Sequence, residues 1–282
     1  MSTIRNLLGW AQERIPAADA RLLLADALGL PLSHLLLATE PTPVQIDRFA
    51  EHVAARHTGT PVQYLTGRAP FRTVEVEVGP GVFIPRPETE VMTGWVLKQL
   101  GEITDRTPIV VELCAGSGAI SLAIATEHPG AEQYAVELDD LAVEYAARNL
   151  AGTGVELRGG DMAAAFPELD GTVDVVIANP PYIPLDVFST IPAEVRDHEP
   201  TLALFSGDDG LDALQVVAGV AARLLRPGGV VAAEHAEVQH ESAQQVFVDQ
   251  GAFDSVRDHV DLNDRPRFVT ARRLGQVAGW QP

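Results

Sequence analysis

The chain has 282 residues, 46% of them hydrophobic and 21% charged, a balance that builds a packed core rather than a disordered chain. Lys and Arg number 20 against 39 Asp and Glu, a formal net charge of −19, which argues against a long nucleic-acid duplex as substrate, since phosphate readers carry a basic face. The balance suits a small molecule or a basic protein steered in by charge.

Residues 1–70 read as helices only. Ile4, Leu7, Leu8 and Ala11 recur at helical spacing. Residues 19–28 repeat the pattern and stop at Gly29, with Pro31 beyond. Pro43 opens a third helix with Val44, Phe49 and Val53 on its apolar side, and Pro61-Val62-Gln63-Tyr64-Leu65-Thr66-Gly67 closes the region. A stabilising bundle and a substrate-docking module both fit these residues. Residues 71–86 change character. Val74, Val76 and Val78 alternate with Glu75 and Glu77, the period of a half-buried strand. Gly79-Pro80-Gly81 is a turn signal after which residues 82–84 are expected to pair back, giving a β-hairpin linker. The remainder, 87–282, is expected to be the catalytic domain, opening on a helix at Pro87.

From Pro108 onward strand and helix signals alternate. Strands are expected at 109–113, 133–136, 155–157, 173–178, 230–234, 255–260 and 267–271, with helices at about 119–126, from Asp139, and at about 210–225. The largely apolar 173–178 is expected at the centre. This order predicts an α/β fold with a seven-stranded, mostly parallel, doubly wound sheet. Right-handed crossovers place every strand-to-helix loop on one edge, where ligands bind.

Four motifs fall on that edge. Glu112-Leu113-Cys114-Ala115-Gly116-Ser117-Gly118 ends a strand and opens a helix, and its glycines allow a tight turn and close approach to a ligand. A pyrophosphate-binding loop would carry glycine three residues after Gly118, where Ser121 stands, and no Walker A lysine is present. The acid at Glu112 suits a ligand with a cationic amine and a sulfonium. Glu137, about 20 residues on at the end of the next strand, can accept hydrogen bonds from the ribose hydroxyls of a nucleoside. Asp161 can accept from an adenine amino group, with Met162 against the ring, although Asp is also favoured as a helix N-cap.

The fourth motif is Asn179-Pro180-Pro181-Tyr182, directly after the fourth strand. An amide nitrogen is a poor nucleophile because its lone pair is delocalised, so a site that alkylates it must hold both N–H groups and aim the nitrogen. The Asn179 oxygen can accept one N–H and the Pro180 carbonyl the other, stabilising positive charge that develops on nitrogen. Two prolines fix the backbone, and Tyr182 offers a flat face. The eight histidines show no paired ligand spacing, His235 and His240 being five apart, so no metal is expected. The single cysteine, Cys114, excludes an internal disulfide and suits a reducing compartment. Residues 1–6 show no secretory signal, and Asp26, Gly29, Pro31 and His34 interrupt the most apolar stretch. Cytoplasm without membrane association is therefore the expectation.

Together the motifs resemble class I (Rossmann-like) S-adenosylmethionine methyltransferases, and the fourth resembles the subset acting on planar nitrogens. The chain is further similar to the HemK/PrmC family. The stretches that carry this are residues 61–67, Phe83-Ile84-Pro85-Arg86-Pro87-Glu88-Thr89-Glu90, Asn179-Pro180-Pro181-Tyr182-Ile183-Pro184, and Glu199-Pro200 with Ala203-Leu204 and Gly207-Asp208-Asp209-Gly210-Leu211. The resemblance implies methylation of the glutamine N5 amide in the Gly-Gly-Gln loop of class-1 peptide chain release factors, docked in part by the helical N-terminal region, without direct nucleic-acid readout. It implies S-adenosylmethionine held by Cys114, Ala115, Gly116, Ser117, Gly118, Glu137, Asp161, Met162 and Asn179, with substrate bound by Arg86, Asn179, Pro180, Pro181 and Tyr182. The chain departs from the family where Glu112 replaces Asp and Cys114-Ala115 replaces Gly-Thr in the first loop, and where Ala236 replaces the glycine after Glu234-His235. A ribosomal-protein glutamine, a nucleic-acid exocyclic amine and cofactor binding without catalysis stay open as alternatives; Ser121 disfavours a dehydrogenase. The turn-rich segment 183–210 is expected to cover the substrate cleft.

Overall fold

The computed structural model describes residues 3–275. In chain order the elements are helices α1 (Ile4–Gln12), α2 (Ala17–Leu28), α3 (Pro43–His57) and α4 (Val62–Thr66); strands β1 (Arg68–Phe71) and β2 (Val74–Glu77); α5 (Pro87–Gly101), β3 (Ile109–Leu113), α6 (Ala119–Glu127), β4 (Glu132–Glu137), α7 (Asp140–Asn149), β5 (Glu156–Gly159) and β6 (Val173–Ala178); then α8 (Ala193–His198), α9 (Asp212–Leu224), β7 (Leu225–Glu234), α10 (His240–Gln250), β8 (Phe253–Val260) and β9 (Pro266–Arg273). The chain divides into two units: Met1–Arg68 with Val78–Pro80 and Pro192–His198, and Ala69–Glu77 with Gly81–Ile191 and Glu199–Pro282.

The smaller unit is helical, as the spacing predicts. Leu7, Ala11, Leu23, Leu24, Phe49 and Val53 form its core. Thr42 and Gln45 make a reciprocal capping box at the start of α3, and Gly29 ends α2 in the left-handed conformation.

The larger unit holds a seven-stranded sheet in the order β5-β4-β3-β6-β7-β9-β8. β5, β4, β3, β6 and β7 run parallel, and β9 is antiparallel to both its neighbours. All six residues of β6 are buried, as expected of a central strand; its one charged residue, Asp174, is paired with Arg106 and Arg226. From β3 the chain winds outward through β4 and β5, then returns to place β6 on the other side of β3. That reversal is the switch point at which open α/β sheets form a crevice. Register levels the motifs there: Leu113 at the end of β3 is opposite Val136 of β4 and Ala178 of β6. The next residues, Cys114, Glu137 and Asn179, therefore emerge side by side.

The hairpin differs from its expectation. β1 pairs with β2 across Arg72-Thr73; residues 82–84 form no strand, and the hairpin from Ala69 to Glu77 groups with the larger unit. Arg72 takes a left-handed φ of 51°, unfavourable for a residue with a side chain. Its guanidinium is anchored by two bonds to Glu127 of α6, at 2.8 and 2.7 Å, and by the Glu90 carbonyl of α5 at 2.9 Å. These contacts hold the turn at Arg72 in place of the Gly-Pro-Gly signal downstream. No helix among the described residues is long and apolar enough to cross a membrane.

Candidate active site

A cleft opens at the carboxyl ends of β3, β4, β5 and β6, within the larger unit. Cys114, Ala115, Gly116, Ser117, Glu137, Asp161, Met162, Asn179, Pro181 and Tyr182 all line it. Three sequence-predicted residues are not on the wall: Gly118, Pro180 and Arg86.

The first loop explains its own composition. Cys114, Gly116 and Gly118 all take left-handed φ, 59°, 55° and 77°. A Cβ on Gly116 would meet nothing within 4 Å, whereas on Gly118 it would lie 3.1 Å from Leu150. Gly116 therefore faces open cleft, and Gly118 lets α6 start close beside Leu150. Cys114 accepts a conformation that costs a side-chain-bearing residue roughly 1–2 kcal/mol. Its sulfur lies 3.5 Å from that of Met162, and burial pushes its thiol pKa up, which disfavours the reactive thiolate.

Glu112 supplies the cap that Gly118 cannot. Its Oε2 accepts from the Ser121 backbone N–H at 2.9 Å and from the Ser121 hydroxyl. Ser121, the residue that weakens a pyrophosphate reading, is thus the partner of the buried acid. Burial is the main cause that pushes Glu112 up to about 8, against the lowering effect of the Ser121 bonds. A cationic ligand group in the cleft would favour its ionised form.

Glu137 holds the loop from the other side. Its Oε2 accepts from Gly116 N–H at 2.7 Å, and Oε1 accepts from Leu138 and Asp139 N–H at 2.8 and 2.9 Å. A carboxylate has about four acceptor sites, so one remains on Oε2 for a hydroxyl. Asp161 caps the short turn Met162–Ala164 through Oδ1, 2.8 Å from Ala163 N–H, and it also lines the cleft.

On the opposite wall, the Asn179 amide donates to Thr89 Oγ1 at 3.2 Å, and the Tyr182 hydroxyl donates to Glu234 Oε1 at 3.2 Å. Pro180 is buried. Arg86 pairs with the buried Glu199 and lies 4.9 Å over the Phe83 ring. The predicted cover is partly realised: Ile183, Leu202, Ala203 and Leu204 line the cleft, joined where Ile183 N–H donates to Leu204 O at 2.8 Å. Its middle, Pro192–His198, belongs to the helical unit. Among the described residues no cluster of His, Cys, Asp and Glu could hold a metal.

Residues 2–67 match the PrmC N-terminal domain family, and residues 74–187 match the methyltransferase small domain family. The release factor glutamine methyltransferase of Streptomyces coelicolor is 47% identical over 92% of this chain and 91% of its own length. The chain belongs to the release factor glutamine methyltransferase family. The Mycolicibacterium smegmatis relative of the same description is 43% identical, covering 93% and 92% of the two chains. A Streptomyces pristinaespiralis relative described as a 4-amino-L-phenylalanine/4-methylamino-L-phenylalanine methyltransferase is 39% identical, covering 88% and 85%. Among solved structures, a methyltransferase from Pyrococcus furiosus shares the fold with a TM-score of 0.50 at 18% identity, over 81% of this chain and 97% of that one. Like its family, the chain is an S-adenosylmethionine-dependent methyltransferase. The cleft fits that cofactor: it offers an open-faced glycine, two carboxylates at successive strand ends and a buried acid, with no cation among its lining residues to repel a sulfonium.

Several residues that build the family's cleft here escape sequence reasoning. Gln239 is buried, and its amide donates to the Tyr182 and Asp209 carbonyls at 3.0 and 2.9 Å. Its oxygen accepts from Ala236 N–H at 2.9 Å. Gly210 is required beside it, since a Cβ there would lie 2.2 Å from the Tyr182 carbonyl oxygen. Ala236 has φ −70°, which any residue adopts, so its replacement of the family glycine is without backbone cost. Thr89 and Glu234 stand in stretches compared with the family, but the sequence assigns neither a role; their three-dimensional pairing marks one.

The buried acid sets a pH signature. Folded Glu112 keeps its proton to about pH 8, while in the unfolded chain it ionises near 4.3. Between those values the folded state binds more protons, so this group's contribution to stability falls as pH rises. In denaturant titrations without cofactor, the stability of Glu112→Gln relative to wild type should grow by roughly 2–4 kcal/mol from pH 5 to pH 8. A difference independent of pH would show that Glu112 is ionised throughout.

Proposed function

We propose that this chain transfers the methyl group of S-adenosylmethionine to the side-chain amide nitrogen, N5, of the glutamine in the Gly-Gly-Gln loop of class-1 peptide chain release factors, acting in the cytoplasm in support of translation termination. The observation that carries the proposal is the Asn179 side chain on the cleft wall, its amide group bonded to Thr89 Oγ1. That bond leaves Oδ1 as the acceptor for an incoming N–H. Relatives named for this activity match the chain along nearly its whole length, which supports glutamine over other planar nitrogens.

S-adenosylmethionine, when bound, supplies a methyl group made electrophilic by its sulfonium sulfur. Gly116, Ser117 and the neighbouring Cys114 and Ala115 line the cofactor's side of the cleft, with Gly118 keeping their turn tight. Glu137 Oε2 takes a ribose hydroxyl, and Asp161 and Met162 take the adenine. Asn179 Oδ1 and the Pro180 carbonyl accept the two N–H groups of the substrate amide, and the Tyr182 ring packs along its plane. Accepting both N–H bonds stabilises the positive charge that develops as nitrogen attacks. The methylated amide then loses one proton to water, so no strong base is needed. Arg86 serves substrate binding by neutralising Glu199 and so holding residues 202–204 at the wall. The helical N-terminal unit docks the release factor.

The test is a panel: labelled S-adenosylmethionine with, separately, a class-1 release factor, ribosomal proteins, RNA and DNA, and free 4-amino-L-phenylalanine. Label on the release factor is the expected outcome. Label confined to nucleic acid, to ribosomal protein or to the free amino acid would assign the chain a different substrate.

A further inference from the structure

Asparagine can present either its oxygen or its NH₂ group to a substrate, and the two are nearly the same shape. A grip on an NH₂ group works only if the oxygen faces it. The wrong flip sets donor against donor, so something must fix the orientation of Asn179.

A chain of hydrogen bonds that runs inward from the cleft wall, where Thr89 itself lines the cleft, does so. Thr89, in the first turn of α5, is 3% exposed, and Glu234, the last residue of β7, is 1% exposed. Thr89 Oγ1 donates its single proton to Glu234 Oε2 at 2.7 Å. With that proton committed, Oγ1 can only accept from the Asn179 side, and the Asn179 amide donates to it at 3.2 Å. Glu234 Oε1 meanwhile accepts from the Tyr182 hydroxyl at 3.2 Å. Thr89 itself is held by its backbone, whose carbonyl accepts from Thr93 Oγ1 at 2.9 Å. Burial pushes Glu234 up to about 7; ionised above that pH, the carboxylate is acceptor-only, and its polarity passes in one direction: carboxylate, hydroxyl proton, hydroxyl lone pair, amide NH₂, and finally amide oxygen toward the cleft.

We propose that Glu234 is a positioning residue that, through Thr89 on Asn179 and directly on Tyr182, sets the acceptor polarity of the Asn-Pro-Pro-Tyr loop. Glu234 does not line the cleft, so it neither touches substrate nor removes a proton from it. Burying a carboxylate here is costly unless it is hydrogen-bonded, and its two oxygens accept from Thr89 of α5 and from Tyr182 of the loop. The function rests on the glutamine-amide reading above; the arrangement of the network does not.

The test uses the full chain and two readouts. Thr89→Val keeps the shape of the side chain and removes the hydroxyl. On whichever substrate the wild type methylates, kcat should fall about 10- to 100-fold with cofactor Kd nearly unchanged, and Thr89→Ser should recover most of the loss. Glu234→Leu should show the same split. The double variant should be no worse than the poorer single one, since all three remove one relay. Equal kcat in Thr89→Val and wild type, or additive losses, would overturn the proposal. The second readout needs no substrate. The side-chain amide resonance of Asn179, assigned by its absence in Asn179→Ala, should be protected from hydrogen exchange in wild type and Thr89→Ser. It should lose protection in Thr89→Val. Protection unchanged in Thr89→Val would overturn the polarity relay even where the substrate reading stands; failure to methylate release factor with the protection pattern intact would overturn only the substrate reading.

Discussion

Asn179→Ala should lower kcat about 10²- to 10³-fold, the cost of removing one preorganised group that stabilises transition-state charge, while cofactor Kd changes by less than about threefold. The size follows from the chemistry of the substrate. A delocalised amide nitrogen gains positive charge only as it attacks, so an acceptor on its N–H is worth more in the transition state than in the ground state. Asn179 follows β6 directly and sits between prolines and a strand whose six residues are all buried, so the acceptor is placed before substrate arrives. The loss should therefore appear in kcat rather than KM, in single-turnover assays with saturating cofactor. An unchanged rate would show that the amide is held elsewhere. Asn179→Asp is a useful companion: it keeps an oxygen but cannot donate to Thr89 Oγ1, and adds negative charge against the buried Glu234.

Glu137→Ala should have the opposite profile, weakening cofactor binding by about 10²-fold with a much smaller change in kcat at saturation. Two losses combine. The acceptor on Oε2 disappears, and so do the bonds that hold Gly116, Leu138 and Asp139 N–H groups. The loop that shapes the cofactor's side of the cleft is then no longer tied to β4. Calorimetry measures this directly, and wild-type affinity in the variant would remove Glu137 from the cofactor site. Glu137→Gln separates the two losses, since its one remaining oxygen can accept from only part of the same set of N–H groups.

The sheet was legible in the sequence because its signals are local. The apolar run at β6 reads as a buried central strand, and Asp139, favoured at an N-cap, does cap α7, accepting from Leu141 and Ala142 N–H. The hairpin is present as expected, but its turn and one strand fall elsewhere because the turn is set from far away. Val76, Val78, Val82 and Ile84 are all buried, so their apolar pattern was real, but Glu127, 55 residues from Arg72, holds the turn. The same distance hid half of the site. Glu112, Glu137, Asp161 and Asn179 could be placed because each stands at a strand end, where topology gathers them. Thr89 and Glu234 are 145 residues apart, and each taken singly is an ordinary helix or strand residue. Arg86 was read toward substrate because its segment is distinctive; its partner, Glu199, lies 113 residues on.

Incubating the enzyme with S-adenosylmethionine and a class-1 release factor, then mapping the modification by tandem mass spectrometry, tests the central claim most directly. The predicted result is a single methyl group on the side-chain amide nitrogen of the Gly-Gly-Gln glutamine, absent with the Asn179→Ala enzyme and absent when that glutamine is replaced by alanine. A methyl group on any other residue, or one that persists after the glutamine is replaced, would contradict it.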